Sequence, residues 1–478
     1  MDAKDRISEI LNKKKDIIFD CNDKIWEFAE TRFDTPKSAD EFCHILTQEG
    51  FQVERGIAHM ENAFVATYGS GKPVIGMLAE YDSLANLSQI ADLPEKKQLV
   101  EGGNGHGCGH NSLGSGSLAG AIGIKDYMEE SGLTGTIKFF GCPAEESGYG
   151  KAFLSKDGAF DCLDAALTWH PGDTSGVWST SSLAVAQVYF NFKGISAHAA
   201  AAPEMGRSAL DAAELMNIGV NFLREHMIDQ ARIHYAFIDA GGVSANVVQP
   251  TSSLYYFIRA PRSEQVLDLY KRVEKIARGA ALMTETEVDV VWDSACANYV
   301  PNNTLTHLVY DNMSHYIPLD LTEEELTYEK KFYDTLDASA LAANAARAQN
   351  FFGDLDPEEI NTLATSPVLN RMIPYNGALS ISSGSTDVGD VSWVTPTAQF
   401  MLGYMPQGSP AHSWQWAATG KSSVAHKAVL TAGKILAATA YDILTQPEIL
   451  EKAREDFKRD LNGTTYKSII PDGVFPDK

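Results

Sequence analysis

Several short apolar runs end in residues able to bind a metal ion, and that recurrence constrains the fold more than any other feature of the sequence. Residues 74–79 read as a strand and lead into Glu80-Tyr81-Asp82. Residues 136–140 lead into Pro143-Ala144-Glu145-Glu146, and residues 165–168 into Trp169-His170-Pro171. Between the first two lies His106-Gly107-Cys108-Gly109-His110-Asn111, inside a Gly-rich stretch (102–120) whose second half reads as a closely packed helix. A further histidine, in Ala411-His412-Ser413, sits in a Gly/Pro-rich loop late in the chain. Strands separated by helices predict a largely parallel α/β sheet. In such sheets ligands bind beyond the carboxyl ends of the strands, so donors there share one site.

Elsewhere the hydrophobic pattern divides the chain. Apolar residues recur at helical spacing through residues 7–28, and Ser38 with Glu41 fits a capping box for a second helix. Near Val185 the pattern changes. Residues 185–194 partly alternate as a half-buried strand does; 209–223 and 265–281 read as helices; 233–238, 254–258 and 287–292 read as strands. This predicts an α+β unit over 184–297, set between the two parts (1–183 and 298–478) of an α/β domain. After 298 helical patterns dominate, at 304–316 and through an acidic-to-Ala-rich stretch from 322 to 351. Strand-like residues 378–382 and 398–402 predict a return to the first sheet, and 422–444 a long apolar helix. The tail from Gly463 has few packing residues and reads as a loosely held extension.

Of 478 residues, 63 are acidic and 39 are Lys or Arg, a formal net charge of −24. Phosphate contacts need clustered cations, so this balance argues against nucleic-acid or anionic-membrane partners. No apolar run approaches the ~20 residues of a membrane span, and the N-terminal residues lack the apolar stretch of a signal peptide. Six cysteines without tight spacing suggest neither a disulfide framework nor a zinc finger. We read the chain as a reduced, cytoplasmic protein.

One at a time, the metal-capable residues have ordinary readings. A lone histidine at a strand end is usually a satisfied core or surface residue, and a Glu-Glu pair is usually a solvated turn. Jointly they point to chemistry. Cys108 and His110, a thiolate and an imidazole two residues apart, can reach one ion or straddle two, with glycines that let the backbone turn closely. Adjacent carboxylates on irregular backbone point different ways, so one of Glu145 and Glu146 can bind metal while the other acts as a base. Two competing patterns are weaker. Gly114-Ser115-Gly116-Ser117-Leu118-Ala119 matches the loose dinucleotide pattern but lacks a strand directly before it. Cys108 and His110 as nucleophile and base are disfavoured, because such pairs usually come from separate elements.

In order, AEYDSL (79–84), GHGCGHNSLG (105–114), PAEESGYGK (143–151), TWHPG (168–172), AHAAAAPEMGRSALDAA (197–213), NVVQP (246–250) and AHSWQ (411–415) resemble the dinuclear metallohydrolases related to glutamate carboxypeptidase, aminoacylase and the plant auxin-amide hydrolases. The resemblance covers nearly the whole chain. It implies a catalytic α/β domain, with helices around a mixed, largely parallel sheet, interrupted by a smaller α+β lid and dimerisation domain. It also implies two divalent metal ions, zinc or manganese. Cys108 would bridge them as thiolate; His110 and His170 would complete one site, Glu146 and His412 the other. Glu145 would be the catalytic base, and Asp82 would orient a ligand from behind. His198 and Asn246, both in the lid, would hold the substrate carbonyl, in their own chain or across a dimer interface. The auxin-amide hydrolases have Asp where this chain has Asn111, and Asp-x-Asp where it has Glu80-Tyr81-Asp82. Both departures resemble the aminobenzoyl-glutamate branch.

The function so implied is a metal-dependent amidohydrolase cleaving an amide bond to an amino acid, with p-aminobenzoyl-glutamate or a related N-acyl amino acid as the small-molecule substrate. Arg259 is the candidate for holding the substrate carboxylate; its ordinary reading is a strand-edge arginine in a surface ion pair. The alternatives are a dipeptidase for unusual dipeptides, such as β-alanyl ones, and a non-catalytic partner of a homologous hydrolase. A homodimer is expected, or a hetero-oligomer with a homologous subunit. The stretch 317–370 is longer than the simpler relatives lead one to expect and has no assigned role.

Overall fold

The apolar runs pair into two sheets in the computed structural model, which describes residues 2–375, 381, 382 and 384–476. In chain order the strands are β1 (Gln52–Arg55), β2 (Phe64–Ser70), β3 (Val74–Glu80), β4 (Gly135–Cys142), β5 (Ala165–Gly172) and β6 (Gly176–Val177). They continue with β7 (Ala184–Lys193), β8 (Arg232–Asp239), β9 (Thr251–Ala260), β10 (Glu287–Cys296) and β11 (Thr397–Gly403). The larger sheet has the order β1-β2-β4-β3-β5-β11-β6. Its four interior strands, β4, β3, β5 and β11, are parallel; β1, β2 and β6 pair antiparallel on the flanks. Every residue of β3 is buried, as its unbroken apolar run requires of a strand covered on both faces. Residues 398–402 do return to this sheet, late in the chain, as β11 beside β5.

The smaller sheet, β10-β7-β9-β8, is antiparallel throughout. Along β9 burial alternates, with Ser252, Leu254, Tyr256, Ile258 and Ala260 facing inward.

Helices α1 (Ala3–Phe28), α2 (Pro36–Gln48), α3 (His110–Ser131) and α4 (Gly150–Lys156) belong to the first part of the chain, and α5 (Ala209–Leu223) and α6 (Ser263–Met283) pack on the smaller sheet. Then follow α7 (Asn303–Tyr316), α8 (Glu323–Tyr333), α9 (Ala338–Phe352), α10 (Pro357–Ala364), α11 (Val388–Val394), α12 (Trp414–Thr419), α13 (Ser423–Thr445) and α14 (Pro447–Leu461). The Gly-rich α3 packs closely against α1, α13 and the large sheet. By length and composition α13 could cross a membrane, contrary to the sequence expectation, but 78% of its apolar window is buried inside the fold. It is a core helix.

Other expectations need correcting. The capping box at Ser38 does not form. Pro36, whose fixed φ suits a first helical turn, starts α2 earlier, and the Ser38 hydroxyl donates to Glu30 Oε2 at 2.9 Å. The helical stretch 322–351 is two helices, because Asp337 caps a new start by accepting the Ala340 N–H at 2.8 Å. β5 runs on through Gly172, paired with β11, so His170 lies within the strand rather than after it. The tail is anchored: Ile469 and Ile470 are buried, and the Tyr466 hydroxyl donates to Asp390 Oδ1 at 2.7 Å. Of the expected strand at 378–382, only Ile381 and Ser382 are described; Ile381 forms an isolated bridge to Ser181, and the rest lies outside the described residues.

Candidate metal centre

The carboxyl ends of the four parallel strands meet at one place. β3 delivers Asp82, β4 is followed by Glu145 and Glu146, β5 carries His170, and the loop after β11 carries His412. Cys108 and His110 come from the start of α3, where Gly109 takes a left-handed φ of 74°. A Cβ there would fall 2.8 Å from Pro171 Cγ and 2.9 Å from Met405 Cε, so glycine is what lets the chain turn between thiol and imidazole.

Cys108, His110 and His170 offer donor atoms within 4.8 Å of one another; Cys108, Glu146 and His412 form a second such group, and Glu80, His110 and Glu145 a third. His110, at the start of α3, and His170, in β5, are both anchored through Nδ1 and turn Nε2 toward the cluster. His110 Nδ1 donates to the backbone O (3.1 Å) and Oδ1 (3.2 Å) of Asp82. His170 Nδ1 donates to Pro171 O at 2.6 Å, and its Nε2 lies 3.5 Å from Cys108 Sγ. Asp82 Oδ2 also accepts the Glu146 N–H at 3.0 Å, so one carboxylate steadies two donors. His412 Nε2 is 3.4 Å from Glu146 Oε2. Among the described residues, the buried Glu146 Oε1 lacks a hydrogen-bond partner, and the buried His110 Nε2 meets only Glu80 Oε2, at 3.2 Å. Buried polar atoms are nearly always paired, so nitrogen and oxygen donors left short of partners around a cysteine fit divalent metal ions.

The protonation equilibria are shifted accordingly. Burial, then Glu146, pushes the Cys108 thiol well above its ordinary value. His110 is raised well above the usual imidazole value by Cys108, Asp82 and Glu80, against its burial. Burial and the neighbouring His110 lower His170 to about 4. Burial alone would raise Asp82, but His110 and the Glu146 N–H hold its carboxyl below the usual range. Glu145 is pushed well above the carboxylate range by burial and then by Glu80, Glu146 and Asp387. A carboxylate with that proton affinity is suited to general-base work.

Behind the donors lies an ion triad that the sequence did not reveal. Lys151 Nζ is 2.7 Å from Glu80 Oε1 and 2.5 Å from Asp387 Oδ1, and the Lys151 N–H donates to Asp387 Oδ2 at 2.8 Å. All three residues are buried. The other oxygen of Glu80, Oε2, is 3.2 Å from His110 Nε2. No periodicity links positions 151 and 387, and no spacing rule could have paired them.

Other candidates fall elsewhere. His106 turns away from the cluster and places Nε2 3.0 Å from Ile25 O. Asn111 donates to Asn22 Oδ1 (3.0 Å) and Gly420 O (2.9 Å), two contacts an aspartate could not make. His198 and Asn246 lie together on exposed backbone, where the Ala199 N–H donates to Asn246 O at 2.9 Å. Among the described residues no hydrogen bond or ion pair joins either side chain to the cluster of its own chain. Arg259 is half-buried, sits over the Phe257 ring at 5.6 Å and donates to Ser385 Oγ at 2.6 Å. No carboxylate pairs with it among the described residues, so the ordinary surface ion pair does not form.

The profile of peptidase family M20/M25/M40 matches residues 77–415. The chain belongs to this family. It is 42% identical, over 96% of its length and 95% of the relative's, to one of the subunits of p-aminobenzoyl-glutamate hydrolase from Escherichia coli (strain K12). It is 29% identical to Xaa-Arg dipeptidase of Mus musculus, over 80% of this chain and 73% of that one. The crystal structure of a dinuclear metal-binding M20-family peptidase from Bacillus subtilis has the same fold, with a TM-score of 0.55 and 16% identity over 90% of this chain and 98% of that one. This member of the M20/M25/M40 family is therefore a metal-dependent hydrolase of amide bonds, and the non-catalytic reading is set aside.

Proposed function

We propose that the chain hydrolyses the amide bond between an acyl group and an amino acid, with p-aminobenzoyl-glutamate as its substrate. The observation that carries this reading is the pair of three-donor groups sharing Cys108, with Glu145 beside them. The substrate is taken from the name of the 42% identical relative. Cys108, His110 and His170 would hold one ion, and Cys108, Glu146 and His412 the other. Zinc suits thiolate and imidazole, while the carboxylate leaves manganese open. Ions bound there supply Lewis acidity and lower the pKa of water in their field. Glu145 takes the proton of the attacking water and returns it to the leaving nitrogen. Asp82 keeps His110 in a single tautomer. Arg259, free of any paired carboxylate among the described residues, would take the carboxylate of the amino acid.

In this reading residues 1–183 and 298–478 form the catalytic unit, and 184–297 a lid that also joins two copies. In support, β8 is an edge strand with Phe237 and Ile238 exposed, and α5 exposes Ile218 and Phe222, the last at 71%. An apolar sheet edge of this kind invites pairing with a second chain. His198 and Asn246 would then serve the partner's site, stabilising the oxyanion of the tetrahedral state. A hetero-oligomer is the other assembly, since the relative is one subunit of its hydrolase. All six cysteines are free, which supports a reducing, cytoplasmic setting.

The test is a hydrolysis screen of metal-loaded protein against p-aminobenzoyl-glutamate, N-acyl amino acids and short dipeptides. Preferred release of glutamate from the first supports the proposal. Cleavage confined to dipeptides would favour the dipeptidase reading, which rests on the 29% identity to an Xaa-Arg dipeptidase. Absence of turnover on all of them overturns the proposed substrate class.

A further inference from the structure

Helix α9 and the residues that follow α8 and α10 lie against the loop that carries His412, and polar contacts tie the two together. Arg347 on α9 grips Asp173 with two prongs: Nη1 reaches Oδ1 at 3.2 Å, and Nη2 contacts Oδ2. Asp173 follows the end of β5, three residues after His170, and its Oδ2 also accepts the Gly408 N–H at 3.0 Å. Gly408 has φ 82°, and a Cβ there would lie 2.9 Å from Asn344 Cβ, so helix and loop meet at backbone distance. Gln407 Nε2 donates to Asn344 Oδ1 at 3.4 Å, and the Gln407 N–H donates to Pro367 O at 2.8 Å. Beyond His412, Gln415 Nε2 donates to Thr335 Oγ1 at 3.2 Å. The segment 317–370 therefore holds the chain on both sides of His412.

Packing does not do this by itself. A cleft of about 680 Å³, lined by Asp337, Asn344, Arg347, Ser409, Ala411 and Trp416, separates α9 from the outer side of the loop. The His412 side chain is 51% exposed, and its backbone takes φ 61°, a left-handed conformation that a non-glycine residue keeps only where its surroundings hold it. The His412 N–H donates to Gly107 O at 2.9 Å, and the Asp173–Gly408 bond fixes the approach to it. Asp173 is buried, and Arg347 is its only ion-pair partner among the described residues.

We propose that Arg347 is a positioning residue: acting through Asp173 and Gly408, it holds His412 where that side chain completes the donor group with Cys108 and Glu146. This rests on the metal-centre reading above. The segment 317–370 is then a buttress for one metal site. The other donor group, Cys108, His110 and His170, is fixed by α3 and by the pairing of β5 with β11.

The experiment titrates metal-free wild-type protein and the Arg347→Ala variant with zinc against a chromophoric chelator, and counts bound metal by elemental analysis. Outer-shell changes typically weaken metal binding about 10- to 100-fold. The variant should bind one ion as tightly as wild type and the other weaker by that factor. Arg347→Lys, which keeps the charge but not the two-pronged contact, should fall between. Melting of the metal-free proteins shows whether the fold survives; if the alanine variant does not fold, the lysine variant is judged by the same criterion. Two ions bound with wild-type affinity, or both weakened equally, would overturn the proposal. Wild-type protein binding fewer than two ions would instead overturn the metal-centre reading.

Discussion

Removing the ammonium group of Lys151 should destabilise the fold in a pH-dependent way. Methionine keeps much of the side chain's length and its apolar stem, so Lys151→Met isolates the charge. Lys151 lies 2.7 Å from one buried carboxylate, Glu80, and 2.5 Å from another, Asp387. Cutting one partner from a buried ion pair costs roughly 3–5 kcal/mol, because the remaining charge stays desolvated and unpaired. Two carboxylates are stranded here, so the upper half of that range is expected, with a fall in Tm on the order of 5–10 °C. The sign of the pH effect follows from the acids. Burial holds the Asp387 carboxyl up at about 6 even with Lys151 beside it, and without the cation it must rise further. A carboxyl raised in the folded state contributes stability below its unfolded value of about 3.9, lost as pH climbs through the folded value. Lys151 and His110 now hold Glu80 below the usual range against its burial, a contribution present above the unfolded value of about 4.3 and removed in the variant. The Glu80 loss is already in place at pH 5, and the further rise of Asp387 makes the deficit grow from pH 5 to pH 8. Urea unfolding of the metal-free proteins at pH 5, 6.5 and 8 measures it. A deficit under about 1 kcal/mol at pH 8, typical of an exposed pair, or one that does not change with pH, would refute the reasoning.

Three further outcomes are expected. Glu145→Gln should lower turnover by roughly 100- to 10,000-fold while elemental analysis still finds two ions; full activity in that variant would remove Glu145 from the role of base. Asp82→Asn should weaken binding of the ion at His110 by about 10- to 100-fold in a chelator competition, and an unchanged affinity would mean that Asp82 does not orient the imidazole. Burial and Glu146 keep Cys108 protonated in the metal-free protein, and the thiol must lose that proton to bind. Metal affinity should therefore rise between pH 6 and 8, by up to about tenfold per unit for each proton released; a flat profile would speak against a thiolate ligand.

The donors were legible because of where parallel strands end. An unbroken apolar run marks an interior strand, and the carboxyl ends of such strands lie side by side whatever their separation in sequence. Glu146, His170 and His412 come together for that reason, and Cys108 with His110 because Gly109 turns the chain between them. Asp82 was within reach of the same logic, two residues past the end of β3. Local signals competed where the reading failed. Pro36 outweighed Ser38 as a helix start, Asp337 broke a run that looked continuous, and Ile469-Ile470 is too short a pair to register as a pattern although both are buried.

The residues that hold the donors escaped for a different reason. Lys151 and Asp387 are 236 positions apart, and Arg347 and Asp173 are 174 apart. A lysine or arginine bound for the interior looks the same in sequence as one bound for solvent, since charge alone does not say where its partner will be. Glu80 shows the difficulty within a single motif: it registered as a strand-end acid and a departure from Asp, yet neither reading told that one of its oxygens meets Lys151 and the other His110. A metal donor must be one of a few residue types on a strand end or tight turn, so type and position betray it. A supporting ion pair needs only opposite charges that folding brings together, so neither its type nor its position does. Changes at Lys151 and Arg347 should thus act by different routes, the first through the stability of the whole fold and the second through one metal site, although Lys151 closes one of the motifs that define the centre and Arg347 lies outside them all.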